Sequence, residues 1–213
     1  DGGAYNTMQF GGSGIDEMSI ESRLTLTNMT TEAGAKNGII EADEKTLNYL
    51  QQCGATNINQ IKSDEDAEYT KMFEYEASEI EPIVAKPFSP ENITPVRDVS
   101  SIELDKAYIG SCTGAKYEDL LAAAKILKGK QVKIRTEVLP AAISIYKKAM
   151  QDGLLQIFID AGAMIGPPTC GACCGAHMGV LAKDEICIST TNRNFPGRMG
   201  HIDSQTYLAS PLV

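Results

Sequence analysis

Apolar and polar positions alternate differently along the two parts of this chain. From Ser19 to about Lys36, Leu24, Met29 and Ala33 recur among Asn28 and Glu32 near the 3.6-residue period of a helix. Ser19 suits an N-cap, with Ser22 standing where a complete capping box carries Glu or Gln. Gly38 is the predicted stop. A second helix is predicted from Asp43 to Cys53, ending at Gly54. The glycine-rich stretch at 11–14 reads as a turn or linker, and the acidic run Asp64, Glu65, Asp66 and Glu68 as a solvated helix start or loop. Tyr69 to Val84 alternates charged and apolar residues, as an exposed-face strand or hairpin does. Pro82, Pro87, Pro90 and Pro95 then mark a linker over about residues 86–100.

Beyond the prolines, strand and helix patterns alternate. Ala107-Tyr108-Ile109 is a predicted strand running into Gly-Ser-Cys-Thr-Gly at 110–114, and a helix follows from Lys116 to Leu127. Val132 to Val138 alternates as a strand, and Pro140 opens a helix to about Gln151. Leu154 to Ala163 fits a strand or a helix, and Ile186 to Thr190 is a short apolar strand. This order predicts a mostly parallel sheet covered by helices, with ligand sites in loops beyond the carboxyl ends of strands.

Composition narrows the function classes. The chain has 213 residues, 43% hydrophobic and 22% charged, enough for a core that needs no disulfide scaffold. Trp is absent and aromatics are 6%, which argues against a stacking platform for single-stranded nucleic acid. The net charge of −9 disfavours nucleic-acid or anionic-membrane partners, and no apolar run approaches a membrane span. The charge is uneven. Residues 1–100 carry 7 basic and 18 acidic residues, net −11, whereas residues 101–213 carry 12 and 10, net +2. Five of the six cysteines also lie in the second part, so the chemistry is expected there.

Four constellations stand out. Pro168-Thr169-Cys170-Gly171-Ala172-Cys173-Cys174-Gly175 brings two thiols of a C-x-x-C within reach of one metal or cluster, in a loop whose glycines let backbone N–H groups face sulfur. A disulfide framework is weak in an acidic, cytosol-like chain with clustered cysteines. Zinc held by Cys112, Cys170 and Cys173 with His177 or His201, and an iron–sulfur cluster held by three cysteines, both stay open. Inert buried cysteine suits Cys53 and Cys187 better. Cys112, just after a strand, falls where a helix N-terminus lowers a thiol pKa, although a small buried residue is the commoner occupant of such a place. Thr190 to Arg198 packs Arg193 and Arg198 with Asn192 and Asn194 into one loop, a set suited to a ligand with more than one carboxylate, where a plain surface loop carries solvated arginines. Asn28 and Glu32, four apart, share a helix face, which normally faces solvent.

In combination these motifs resemble the aconitase / isopropylmalate isomerase family of iron–sulfur hydro-lyases. The resemblance runs from Tyr5 to Tyr207-Leu208-Ala209-Ser210-Pro211 and is carried by Gly-Ser-Cys-Thr at 110–113, Cys-Gly-x-Cys at 170–173 and Asn-Arg-Asn-Phe-x-Gly-Arg at 192–198. It implies an aconitase-like α/β fold of two α/β/α layered domains with mostly parallel sheets, here 1–98 and 99–213. It implies that Cys112, Cys170 and Cys173 hold a [4Fe–4S] cluster whose fourth iron is left for substrate. Arg193 and Arg198 match the substrate-side arginines, Asn28, Asn192 and Asn194 the asparagines near cluster and substrate, and Glu32 an acid near the leaving hydroxyl. Cys174 matches no ligand position. His177 falls where the isomerases often carry a histidine.

The activity so implied is interconversion of 2- and 3-isopropylmalate in leucine biosynthesis by dehydration and rehydration. Homoaconitase or another hydroxy-diacid dehydratase is the alternative within the family, and a metal-stabilised non-catalytic module the alternative outside it. A nucleic-acid-binding relative is disfavoured by the charge. The family's His- and Asp-bearing N-terminal motifs have no counterpart here, and its serine base and a further arginine belong to a swivelling domain, in the isomerases a small partner subunit. The expectation is therefore a middle and C-terminal part of the cluster-bearing chain, inactive alone, partnered by that small subunit, acting on a small diacid. Its expected compartment is the cytoplasm, or the plastid stroma in a plant.

Overall fold

A computed structural model describes residues 2–213. The chain forms two compact units that divide between Glu81 and Pro82.

In the first unit, strand β1 (Thr7–Phe10) pairs in parallel with β2 (Asn37–Ile40), Thr7 opposite Asn37. Between them lie α1 (Ser13–Glu17) and α2 (Ile20–Met29), and α3 (Glu44–Gln52) follows. Ser19 caps α2 by accepting from Ser22 N. The helix ends earlier than its apolar spacing predicts. A 3-10 turn at Thr30–Ala33 tightens it, and Gly34, at φ +81°, closes it in the left-handed conformation. Gly38 is not the stop but a strand residue. A Cβ there would lie 2.8 Å from Thr27 O, so its bareness lets β2 lie against α2. The buried residue of α2 is Arg23, which donates to the carbonyls of Ile15 and Asp16 at 3.2 Å and to Asp43 Oδ2 at 2.7 Å. Asp43 in turn caps α3 through Thr46 N at 2.9 Å. The expected 69–84 hairpin is absent: residues 70–82 are irregular apart from a 3-10 turn at Ala77–Glu79. Charged and apolar residues alternate there without a neighbouring strand to pair with.

The second unit is a seven-stranded sheet in the order β4-β3-β9-β8-β5-β6-β7. Its strands are β3 (Ile83–Ala85), β4 (Ile93–Pro95), β5 (Lys106–Ile109), β6 (Arg135–Val138), β7 (Met164–Ile165), β8 (Ile186–Ser189) and β9 (Gln205–Leu208). The pairs from β9 to β7 are parallel, while β3 runs antiparallel to both β4 and β9. The proline stretch is thus a hairpin of this sheet, not a linker, and the unit starts at residue 82 where the sequence places the boundary at 98. Proline is tolerated because β4 is an edge strand and Pro87 and Pro90 sit in the hairpin loop, closed by Asn92 Nδ2 donating to Pro87 O at 2.8 Å.

Helices α5 (Tyr117–Leu127), α6 (Ile143–Gln151) and α7 (Leu154–Asp160) cover one sheet face. There Val138, Leu120, Ala123, Ala124, Ala149, Leu155 and Phe158 form the main core. Alternation along β5 and β6 turns Tyr108 and Leu139 to the other face, into a second cluster with Cys187, Ala172, Cys173, Leu181 and Met199.

Candidate functional site

Three loops leave the carboxyl ends of parallel strands in this sheet: 110–114 after β5, 166–176 after β7 and 190–198 after β8, with β8 next to β5 and β7 beyond β6. Each carries one sequence motif, where a parallel sheet gathers a ligand site.

The first loop is drawn to the third by backbone proximity. Gly110 N donates to Thr190 Oγ1 at 3.0 Å, and the Thr190 hydroxyl lies 2.9 Å from Gly110 O and 3.0 Å from Gly114 O, which share its proton. A Cβ on Gly114 would overlap the Thr190 carbonyl, so glycine is required. Ser111, at φ +83°, turns the chain into the single helical turn α4 (Ser111–Gly114). Four residues sum too little dipole to act as the helix terminus the sequence predicted beside Cys112. Cys112 is exposed, its Sγ 3.9 Å from Ser111 Oγ.

The second loop winds as a 3-10 turn over Gly171–Cys174, with Cys173 N donating to Cys170 O at 2.9 Å. Cys170 and Cys174 are exposed and Cys173 is buried. Cys173 Sγ donates to Asn192 Oδ1 at 3.8 Å, tying the cysteine loop to the arginine loop. His177 Nε2 lies 3.2 Å from Thr169 Oγ1 and so braces the loop from within, a role its sequence position did not disclose. The Cys170 thiol is pushed up in pKa by burial, then by the nearby charges of Cys174, Cys173 and Cys112. Cys112, Cys173 and Cys174 thus all lie close enough to Cys170 to act on its thiol. Cys187, also free, is different: burial pushes its thiol up to about 12, and it is core.

In the third loop Asn192 and Asn194 are buried and Arg193 and Arg198 half-buried. Gly197, at φ +74°, lets Arg198 N turn back to Phe195 O at 3.0 Å. Arg198 Nε is buried with no hydrogen-bond partner, a donor left for something not in the chain's own bonding. Asn194 has a structural part in the loop. It is 1% exposed, and its Nδ2 donates to Lys86 O at 2.8 Å and Thr206 O at 3.1 Å, so it fastens the loop to the sheet. Asn28 and Glu32 lie in the first unit, Asn28 exposed in the last turn of α2 and Glu32 half-buried in the 3-10 turn beyond it. They do not share one continuous α-helical face as predicted.

Among the described residues, no three His, Cys, Asp or Glu side chains close on a single metal ion. His201 Nδ1 accepts from Asp203 N at 3.1 Å. A cluster makes a different demand. Each thiolate binds a different iron, so its ligands stand wider apart than those of one ion. Three soft thiols from two loops, close enough for Cys112 and Cys173 to act on Cys170, are a donor set that suits it.

A mostly parallel α/β sheet with convergent cysteine and arginine loops at its strand ends defines the class, and the chain belongs to the aconitase family (aconitate hydratase), whose profile matches residues 1–213. It is similar to the 3-isopropylmalate dehydratase large subunit of Clostridium kluyveri, 51% identical over 215 residues that cover 100% of this chain and 51% of that one. It is also similar to large subunit 1 of the same enzyme from Pyrococcus abyssi, 51% identical over 216 residues with 100% and 51% covered. A Hydrogenobaculum large subunit is 49% identical over 215 residues, again with 100% and 51% covered. The chain spans about half the length of the curated relatives it matches. Family membership suggests an iron–sulfur cluster.

Proposed function

We propose that this chain is the cluster- and arginine-bearing part of a 3-isopropylmalate dehydratase, a hydro-lyase that interconverts 2- and 3-isopropylmalate in leucine biosynthesis. The observation that carries this reading is the meeting of the cysteine and arginine loops, where Cys173 Sγ lies 3.8 Å from Asn192 Oδ1. Cys112, Cys170 and Cys173 are proposed to hold a [4Fe–4S] cluster. When bound, the cluster supplies a Lewis acid for departure of the hydroxyl.

The chain's own residues do the rest of the binding. Arg193 and Arg198 offer guanidinium forks to the two carboxylates of the diacid, and the unsatisfied Arg198 Nε is one donor so used. Asn192, held against the cysteine loop, orients the substrate; Asn194 keeps the loop in register. Glu32 and Asn28 are proposed to serve the leaving hydroxyl. The base for the carbon-bound proton is proposed to come from a small partner subunit, in keeping with the relatives' designation as large subunits. The compartment is proposed to be the cytoplasm, or the plastid stroma in a plant.

Anaerobic reconstitution of the full chain with iron and sulfide, then assay with the small subunit, tests the reading. Iron and sulfide in cluster proportion and turnover of isopropylmalate are expected. A Cys170→Ser variant that assembles a full cluster, or an active complex containing zinc and no iron, would overturn it.

A further inference from the structure

We infer that Lys106 and Tyr108, two buried residues on one face of β5, clamp the two ends of the cysteine loop 170–179 and act as its positioning residues. Lys106 is 0% and Tyr108 1% exposed, and alternation along the strand puts both on the face beneath that loop. Tyr108 Oη donates to Cys170 O at 3.0 Å, at the loop's first residue. Lys106 Nζ donates to Gly179 O, at its last.

Both ends are shaped to these two side chains. Gly171 has φ +50°, and a Cβ there would lie 2.7 Å from Tyr108 Oη and 2.6 Å from Leu139 Cδ2. Gly179 has φ +93°, and a Cβ there would overlap Lys106 Nζ and come within 3.2 Å of Glu137 Cδ. Only glycine lets the loop descend onto the clamp at either end.

The ammonium needs a reason to be there. Taking a charge fully out of water is costly, and well-packed apolar residues are often as stable as a buried ion pair. Glu137, on β6, neutralises Lys106 at 3.3 Å, and Arg135 Nε balances Glu137 at 3.5 Å. Neutralisation alone explains none of it, since an apolar pair would need none. What the pair adds is a charged donor on the Gly179 carbonyl, and Tyr108 adds a matching donor on Cys170. Cys170 is the first of the two points, and Cys173 and Cys174 lie between them. Fixing both ends lowers the entropy lost when the thiols are drawn into one arrangement. That consequence for cluster retention rests on the function proposed above; the clamp itself does not.

The test uses the full chain with its partner subunit. Tyr108→Phe removes one hydrogen bond and keeps the ring; Lys106→Met with Glu137→Gln removes the charged donor and neutralises its partner. In apo protein, exchange of the Cys173, Gly175 and Ala176 amides, which are bonded within the loop, is expected to rise about fivefold in either variant. Exchange in α5 stays unchanged. In reconstituted protein, the cluster's visible absorbance is expected to decay severalfold faster under chelator. Loop exchange equal to the wild type in both variants, or acceleration spread evenly through the second unit, would overturn the clamp. If the wild type takes up no cluster, the proposed function fails, and the exchange measurement still decides the clamp.

Discussion

Arg23 and Asp43 show how one buried charge can organise a small unit. Arg23 is 5% exposed and Asp43 35%, at 2.7 Å. The Arg23 hydrogen bond, ahead of the Thr46 bonds, holds the Asp43 carboxyl well below the usual carboxylate range. Because the native value is depressed, the stabilisation is complete above about pH 4 and is lost as pH falls below it toward that value. Asp43→Asn keeps a capping side chain but strands the guanidinium. With the carboxylate about one-third exposed, screening limits the expected loss at pH 7 to about 1–2 kcal/mol. Urea unfolding at several pH values should show the gap to the wild type closing in acid; a constant gap would deny the pairing. Asn194 makes another case, a residue whose structural task was not legible. Its motif advertised substrate, yet its partners at Lys86 and Thr206 are remote in sequence, so no local spacing reveals the burial. Asn194→Ala should lower stability by about 3 kcal/mol by leaving those carbonyls unpaired. A direct substrate contact would instead raise KM at unchanged Tm.

Elements were legible where a helical period is long or an apolar run meets a turn signal. α5, α6 and β5 lie within a few residues of their patterns, and the strand-or-helix ambiguity at Leu154 to Ala163 resolves as helix α7, opened by Gly153 at φ +75°. The misses have one cause. β1, β2, β7 and β9 are two to four residues long and carry no period of their own; they exist because a neighbouring strand is there, and β5, equally short, was legible only from the apolar run ahead of its glycine motif. The prolines of 82–95 look like a linker until β9 supplies an edge to pair with. Helix α7 carries the element-scale prediction. Phe158, 0% exposed, packs between α5, α6 and the sheet at the centre of the main core. Phe158→Ala should cost about 3–5 kcal/mol through lost burial and a cavity. A lower urea midpoint at unchanged slope is expected; a loss under about 1 kcal/mol would show that the helices collapse to fill the space.

At the scale of the whole molecule, the charge division survives the shift in boundary. Residues 1–81 carry 5 basic and 16 acidic residues, and residues 82–213 carry 14 and 12, so the −9 total still conceals a mildly cationic unit that bears both loop arginines. The sequence saw this asymmetry but cut it at the wrong place, because proline density marks a hairpin loop as readily as a linker. The segment with linker character lies earlier. Residues 59–82 are exposed throughout, with no strand ladder to protect the backbone. Gln60, Ser63 and Tyr69 still bond to Ala42, Glu41 and Gln9, which holds the front of the segment onto the first unit. Beyond Tyr69 the regular structure is one 3-10 turn. A glutamate-specific protease at low ratio should therefore cut first at Glu74, Glu76 or Glu79, since cleavage needs a locally extended, accessible backbone. The protected product should begin near Pro82 and keep the far-UV signature of the α/β sheet. First cuts at Glu91 or Glu103 would show that the β3–β4 hairpin opens more easily than the segment before it, and would return the boundary to the proline stretch.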